Sequence, residues 1–162
     1  MNYIVTIVFI LILSPVAAME EFAAQVIGVK DGNTLTIKAA DGETYEILLF
    51  GIDSPELGQA YGKDAKLFLE NMVLKKKVTV EFHGKDRTGK RLAVVLLNNE
   101  DDPRVELLKE GLAWTVERNA PQELEPYIRW ARAKKKGLWE EEKPTPPWQY
   151  RREQSMVTPK SS

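Results

Sequence analysis

The sequence has no cysteine, only one histidine and almost no excess of charge of either sign. It has 162 residues, 23 Lys and Arg against 24 Asp and Glu, and a formal net charge of −1. Without cysteine the chain has no disulfide, thiolate metal site or cysteine nucleophile. A single histidine excludes a metal centre built from several histidines. The balanced charge excludes the global positive field of a strongly basic nucleic-acid binder, so any such binding must depend on local groups.

Long apolar runs are also lacking, apart from residues 4–13 near the N-terminus. This run is about half the ~20 residues that a membrane-spanning helix needs. Small side chains at Val16 and Ala18 suit cleavage after Ala18, which predicts a signal peptide over residues 1–18. We therefore expect a secreted or periplasmic protein with no membrane span after cleavage. The first residues carry no Lys or Arg, so an uncleaved membrane anchor is the alternative.

The remaining sequence has the composition of one globular domain, with 43% hydrophobic and 29% charged residues. Alternating apolar residues predict five short strands, and apolar residues at helical spacing predict helices over 62–74, 104–110 and 123–136. This order suits an α+β domain, a five-stranded OB-fold β-barrel with three packed α-helices. We predict this domain over residues 22–152, a flexible tail over 153–162, and a monomer.

Several short motifs follow one another in a fixed order along this domain. They are Asp31-Gly32-Asn33-Thr34, Gly51-Ile52-Asp53-Ser54-Pro55-Glu56, Gln59-Ala60-Tyr61-Gly62, Asp86-Arg87-Thr88-Gly89-Lys90, Gly111-Leu112-Ala113-Trp114, Lys136-Gly137-Leu138-Trp139 and Pro147-Trp148. Each motif alone is weak, but their order and spacing make the chain from about residue 25 to 151 resemble the staphylococcal nuclease (thermonuclease) family. The resemblance implies an OB-fold barrel that, in active members, cleaves DNA and RNA phosphodiesters with one Ca²⁺.

The resemblance also implies roles for the acidic residues. Asp53 matches a carboxylate ligand of Ca²⁺, Ser54 a ligand through its backbone carbonyl, and Glu56 the catalytic glutamate. Asn33 matches a second carboxylate ligand but has no charge, which predicts weakened Ca²⁺ binding because affinity follows the number of ligand charges. Tyr61 and Arg87 are candidate substrate-binding residues.

Both arginines that the family uses to hold the phosphate are replaced, the first by Leu48 and the second by Lys90. An apolar side chain cannot bind a phosphate oxygen, and Glu46 lies two residues earlier on the same face of the strand. Arg91 points to the face opposite Lys90 unless a bulge intervenes. Losing one such group commonly costs ~10² to 10³ in rate. We therefore predict a pseudo-nuclease with little or no activity and a binding or structural role.

Three alternatives stay open. Asp53 and Glu56 are also residues that satisfy backbone donors at turns. A second alternative is an active nuclease that acts on single-stranded nucleic acid with Lys90 and Glu56. A third is a domain that binds a peptide or a glycan, since the fold alone does not assign a function. An arginine or lysine that points into the pocket of Asp53, Glu56 and Lys90 would favour the enzyme. A pocket closed by Leu48 and Glu46 would favour binding. The two lysine triplets, 75–77 and 134–136, are predicted to be solvated.

Overall fold

The structure is a computed structural model that describes residues 21–157. The predicted signal peptide, residues 1–18, and the last part of the predicted tail, residues 158–162, lie outside the described residues. Within residues 21–157, no helix combines the length and the apolar character needed to cross a membrane.

Five strands form a barrel: β1 (Glu21–Val29), β2 (Thr34–Ala39), β3 (Thr44–Leu49), β5 (Lys77–Lys85) and β6 (Arg91–Leu96). The barrel closes in the order β1-β2-β3-β6-β5, with β5 paired back to β1. Neighbouring strands are antiparallel except for β3 and β6, which are parallel. The two short strands β4 (Ile52–Asp53) and β7 (Trp114–Thr115) form a separate antiparallel ladder. The predicted five-stranded OB-fold barrel is confirmed.

The alternating apolar residues of the strands fill the interior of the barrel. Because successive side chains on a strand point to opposite faces, Leu35, Ile37, Ile47 and Leu49 face inward and are buried. Leu69 and Val73 of the first helix join the same core. The residues between the inward positions, Glu46 and Leu48 among them, lie on the outer face of β3 and are partly exposed.

Helices α1 (Gly62–Val73), α2 (Pro103–Lys109) and α3 (Glu125–Ala133) correspond to the three predicted helices. The Asp102 side chain caps α2 by accepting a hydrogen bond from the Arg104 backbone N–H, and Pro103 suits the first helical turn. A fourth helix, α4 (Pro147–Val157), was not predicted from the sequence. It continues past Arg152, beyond which the sequence predicted a flexible tail.

Helix α4 is attached to the rest of the domain by aromatic packing. The Trp114 ring lies 4.4 Å from the Trp139 ring and 5.7 Å from the Trp148 ring, both edge-on. The Arg132 guanidinium lies over the Trp139 ring at 4.4 Å. These three tryptophans form one packed cluster, whereas Trp130 of α3 is 45% exposed.

Candidate active site

The turn between β1 and β2 lies directly against the end of β4. The Ser54 hydroxyl donates a hydrogen bond to the Gly32 carbonyl at 3.0 Å. A Cβ atom on Gly32 would be 2.6 Å from Ser54 Cβ and 2.7 Å from Ala65 Cβ, so this approach requires glycine. The turn itself is closed by Asp31, whose side chain accepts from the Asn33 backbone N–H at 3.0 Å. The structure thus brings the first two motifs of the sequence together.

Asp53 and Glu56 lie on the segment that leads from β4 to α1. Asp53 is fixed by the pairing of β4 with β7, and its side chain is 15% exposed. The Glu56 backbone N–H donates to the Gln59 side chain at 2.8 Å, which shapes the turn, and the Glu56 side chain is 39% exposed. The two carboxylates meet at one cation, which comes from elsewhere in the chain.

That cation is the guanidinium of Arg151 on helix α4. Its Nη1 donates to Asp53 Oδ1 at 3.1 Å and to Glu56 Oε1 at 2.8 Å, and its Nη2 donates to Asp53 Oδ2 at 2.7 Å. The contact with Asp53 is therefore bidentate, the geometry in which guanidinium binds carboxylate best. The Arg151 side chain is 48% exposed, so it bridges the two acids from the solvent side.

Burial and neighbouring charge shift the pKa values of this group. Burial raises the pKa of Asp53, the hydrogen bonds and charge of Arg151 oppose that shift, and the charges of Glu56 and Asp31 add to it. The pKa of Arg151 is raised, chiefly by its hydrogen bond to Asp53. The influence of Asp31 on Asp53 is the electrostatic consequence of the close approach at Gly32.

Helix α4 reaches the acids through contacts with the segment that carries them. Trp148 packs on Trp114, which is the register partner of Asp53 in the β4–β7 ladder. Residues three apart on a helix share a face, so Trp148 and Arg151 point to the same side. The Gln59 amide, which holds the Glu56 backbone through its oxygen, donates through its nitrogen to the Thr145 carbonyl at 3.1 Å, just before α4.

Leu48 and Lys90, the two positions that match the family arginines, lie on the outer face of β3 and just before β6, respectively. Leu48 is half-buried beside Thr34 and Leu92. Lys90 Nζ lies 3.7 Å from Glu46 Oε1, and Glu46 also pairs with Lys30. Both lysines lower the pKa of Glu46, the hydrogen bond from Lys30 most.

Arg91 and the two candidate substrate-binding residues have other surroundings. The Arg91 guanidinium lies over the Tyr45 ring at 4.2 Å, on the face predicted for it, where it does not replace Lys90. The Tyr61 hydroxyl is 3.2 Å from Glu140 Oε2, and this hydrogen bond, together with burial as the larger cause, raises the pKa of Tyr61. Arg87 lies exposed in the β5–β6 turn.

Ca²⁺, which the resemblance implies, does not fit this arrangement of the site. Both oxygens of Asp53 accept hydrogen bonds from Arg151, and the Asn33 amide nitrogen is 3.4 Å from the Ile52 carbonyl that it faces. Hard divalent cations need several oxygen ligands, preferably charged ones. Over residues 21–157 no group of three His, Cys, Asp or Glu side chains is placed to hold a metal ion.

Arg151 is the site residue that the sequence analysis missed. Its contact partners lie 95 and 98 residues away in the chain, and no local pattern reports such a contact. The available indication was the run Pro146-Pro147-Trp148, which places a helix start and an aromatic anchor just before two arginines.

Comparison with known proteins shows that the chain is similar in sequence to nucleases. The model of a family described as staphylococcal nuclease homologue matches residues 46–141. An uncharacterized endonuclease of Haemophilus influenzae is 32% identical over 140 residues, which cover 85% of this chain and 77% of the relative. Protein ParB of Escherichia coli is 32% identical over 147 residues, covering 84% and 82%. A micrococcal nuclease of Shigella flexneri is 28% identical over 160 residues, covering 92% and 91%.

Proposed function

Because the chain belongs to the staphylococcal nuclease family, we propose that it is a nuclease-fold domain whose own cleavage activity is weak or lost and which acts by binding. The observation that carries this proposal is the bridge from Arg151 to both Asp53 and Glu56. In a working site these carboxylates would be available to a cation and to an attacking water. Here both are engaged with a cation of the same chain.

The state of Glu56 bears directly on catalysis. A general base must accept a proton from the attacking water, at hydrogen-bond distance and with a suitable pKa. The Arg151 guanidinium donates a hydrogen bond to Glu56 Oε1 at 2.8 Å, so this oxygen already has a partner. The guanidinium also lies where a water would have to approach Oε1. Proton abstraction at this site is therefore disfavoured.

The cationic side of the site supports the same proposal. Leu48 offers no charge, and the charge of Lys90 is partly offset by Glu46 at 3.7 Å. Transition-state charge on a phosphoryl group is stabilised by cations that are aimed at it in advance. Neither position provides such a cation, so a bound phosphodiester would gain little stabilisation along the reaction path.

Digestion of single-stranded DNA and RNA by the purified protein, with and without Ca²⁺, tests the proposal. We expect no Ca²⁺-dependent cleavage by the wild type. The variant Asn33→Asp, Leu48→Arg, Lys90→Arg in an Arg151→Met background restores the acids and the cations, and we expect it to exceed the wild type by at least ~10² in rate. Glu56→Ala in that background is the matched control and should abolish the gain. Ca²⁺-dependent cleavage by the wild type that Glu56→Ala removes would refute the proposal.

The second candidate function is an active nuclease on single-stranded nucleic acid, and Arg151 itself is the observation in its favour. An arginine that lies between Asp53 and Glu56 has the chemistry to replace the one lost at Leu48 if it turns toward a phosphate. In that case the Arg151→Met variant alone would lose ~10² to 10³ of a measurable wild-type rate. Under the proposed function the wild type has no such rate to lose.

The setting and limits of the domain are proposed from the sequence alone. Export to the periplasm or the cell exterior is supported by the apolar run and small residues that precede position 19. A domain over residues 22–152 is supported by the barrel and its first three helices. Nucleic acid is the partner class that membership of the family favours. The net charge of −1 supports only weak binding to it.

A further inference from the structure

The acid pair of the candidate site already has a cation, and that cation belongs to the chain. Three hydrogen bonds of 2.7 to 3.1 Å join the Arg151 guanidinium to Asp53 and Glu56. We propose that helix α4 supplies Arg151 as a built-in counter-ion, which takes the place of a metal ion between Asp53 and Glu56 and closes this pair to divalent cations. The inference concerns the site of the proposed function and rests on the same bridge.

Competition for the same oxygen atoms is the physical basis of the closure. A hard cation such as Ca²⁺ is held by carboxylate oxygens at short range. Both oxygens of Asp53 and Oε1 of Glu56 accept from Arg151, so a metal ion would have to displace a bidentate guanidinium. It would also meet a positive charge within a few ångströms, and like charges at that range repel strongly in a partly buried site.

The position of Arg151 is fixed by contacts on either side of it along helix α4. Pro147 is buried and Trp148 packs edge-on against Trp114. The Tyr150 hydroxyl lies so close to Gly58 that a Cβ there would be 2.9 Å from it. Arg152 Nη2 lies 3.5 Å from Glu117 Oε1. These contacts of α4 fix the guanidinium at the acid pair before any metal ion could bind there.

The closure is also reversible, because the bridge lies at the surface. The Arg151 side chain is 48% exposed, and residues 151–157 of α4 are exposed to solvent. Removing the guanidinium leaves the carboxylates of Asp53 and Glu56 without their counter-ion. Two carboxylates that repel each other gain from a cation between them. The closure of this pair therefore depends on Arg151.

Cation binding measured without reference to cleavage tests this inference. Tb³⁺ is the probe, since it is a hard cation whose luminescence is excited through nearby tryptophan, and Trp114 adjoins Asp53 in the β4–β7 ladder. We expect Arg151→Met to bind Tb³⁺ about tenfold or more tightly than the wild type, with Ca²⁺ competing for the gained site. Arg129→Met, which removes an exposed arginine that pairs with Glu125 on α3, is the matched control and should bind as the wild type does.

Two further variants make the assignment specific. Asp53→Asn added to Arg151→Met should remove the gained Tb³⁺ binding, and Arg151→Lys, whose ammonium cannot bridge all three oxygens, should bind with intermediate affinity. Circular dichroism establishes that each variant keeps the fold. Equal Tb³⁺ affinity of the wild type and Arg151→Met, or no binding by Arg151→Met, would overturn the inference. If the wild type cleaves nucleic acid and yet binds Tb³⁺ more weakly than Arg151→Met, the proposed function is refuted and this inference stands.

Discussion

At the scale of single residues, the absence of a side chain at Gly32 allows the turn and the acid segment to meet. A Cβ atom there would lie within 2.7 Å of Cβ atoms on both Ser54 and Ala65, which are themselves buried. Burial raises the pKa of Asp53, and the negative charges of Glu56 and Asp31 add to this shift. The glycine thus allows the turn that carries Asp31 to lie against the segment that carries Asp53.

We expect Gly32→Ala to destabilise the protein by about 1–3 kcal/mol, the usual range for an overpacked core position. The measurement is the free energy of unfolding from denaturant titration. Gly28→Ala is the control, since a Cβ at Gly28 meets Thr36 atoms at an ordinary 3.5 Å. The control should change stability by no more than about 0.5 kcal/mol. Similar losses in both variants would show that the approach to Ser54 is not the cause.

Lys90 shows the effect of a neighbour on a candidate catalytic cation. The lysine is present in the motif, yet Glu46 on the outer face of β3 lies 3.7 Å from it. Two positions further along the same face, Leu48 offers only an apolar surface. A residue type that matches a family position is therefore not sufficient, because the side chains on the same sheet face determine which charge a ligand meets.

At the scale of elements, helix α4 connects the C-terminal segment to the candidate site. Trp148 anchors the helix on Trp114, and one turn later Arg151 contacts Asp53. The strand residue that Trp148 covers is thus the neighbour of the residue that Arg151 binds. The ion pair of Arg151 with Asp53 therefore depends on the packing of Trp148 against Trp114.

We expect Trp148→Ala to loosen α4 and to expose the acid pair together. The substitution should cost about 1–3 kcal/mol, less than a fully buried tryptophan because this one is half-buried. Hydrogen exchange should rise in α4 while the barrel strands stay protected, and Tb³⁺ affinity should increase as it does in Arg151→Met. Gln149→Ala, on an exposed position of the same helix, is the control. Unchanged exchange in α4 would contradict the anchoring role of Trp148.

At the scale of the whole molecule, a net charge of −1 limits the attraction of this domain to nucleic acid. The two lysine triplets lie on different elements. Residues 75–77 lead into β5, whereas residues 134–136 follow α3, with Lys136 paired to Glu110 at 3.0 Å. Affinity for a phosphate backbone grows with the number of cations that act together.

We therefore expect single-stranded DNA to bind no more tightly than ~10⁻⁴ M at physiological salt, the weak end of non-specific binding. Fluorescence anisotropy of a labelled oligonucleotide, titrated at several salt concentrations, measures both affinity and salt dependence. Replacing Lys75, Lys76 and Lys77 by glutamine should leave the affinity unchanged if these lysines are solvated, as the sequence predicts. Micromolar binding with a steep dependence on salt would contradict this expectation.

The sequence by itself determined the barrel, the first three helices and the position of the acids. These follow from local patterns, because alternation on strands, helical spacing and turn residues act over a few positions. The motif order also identified Asp53 and Glu56 as candidates and Leu48 as a position without charge. The turn at Asp31 and the opposite directions of Lys90 and Arg91 could be predicted for the same reason.

Only the tertiary structure decided which cation faces the acid pair. Arg151 lies 98 residues from Asp53, in a helix that was not predicted from the sequence. A contact over that distance depends on how the Trp148 anchor docks on β7 and on the close approach of Tyr150 to Gly58. Local propensity contains no information on such docking, since packing between distant elements sets it. The sequence therefore determined the acids of the site, and the fold determined their counter-ion.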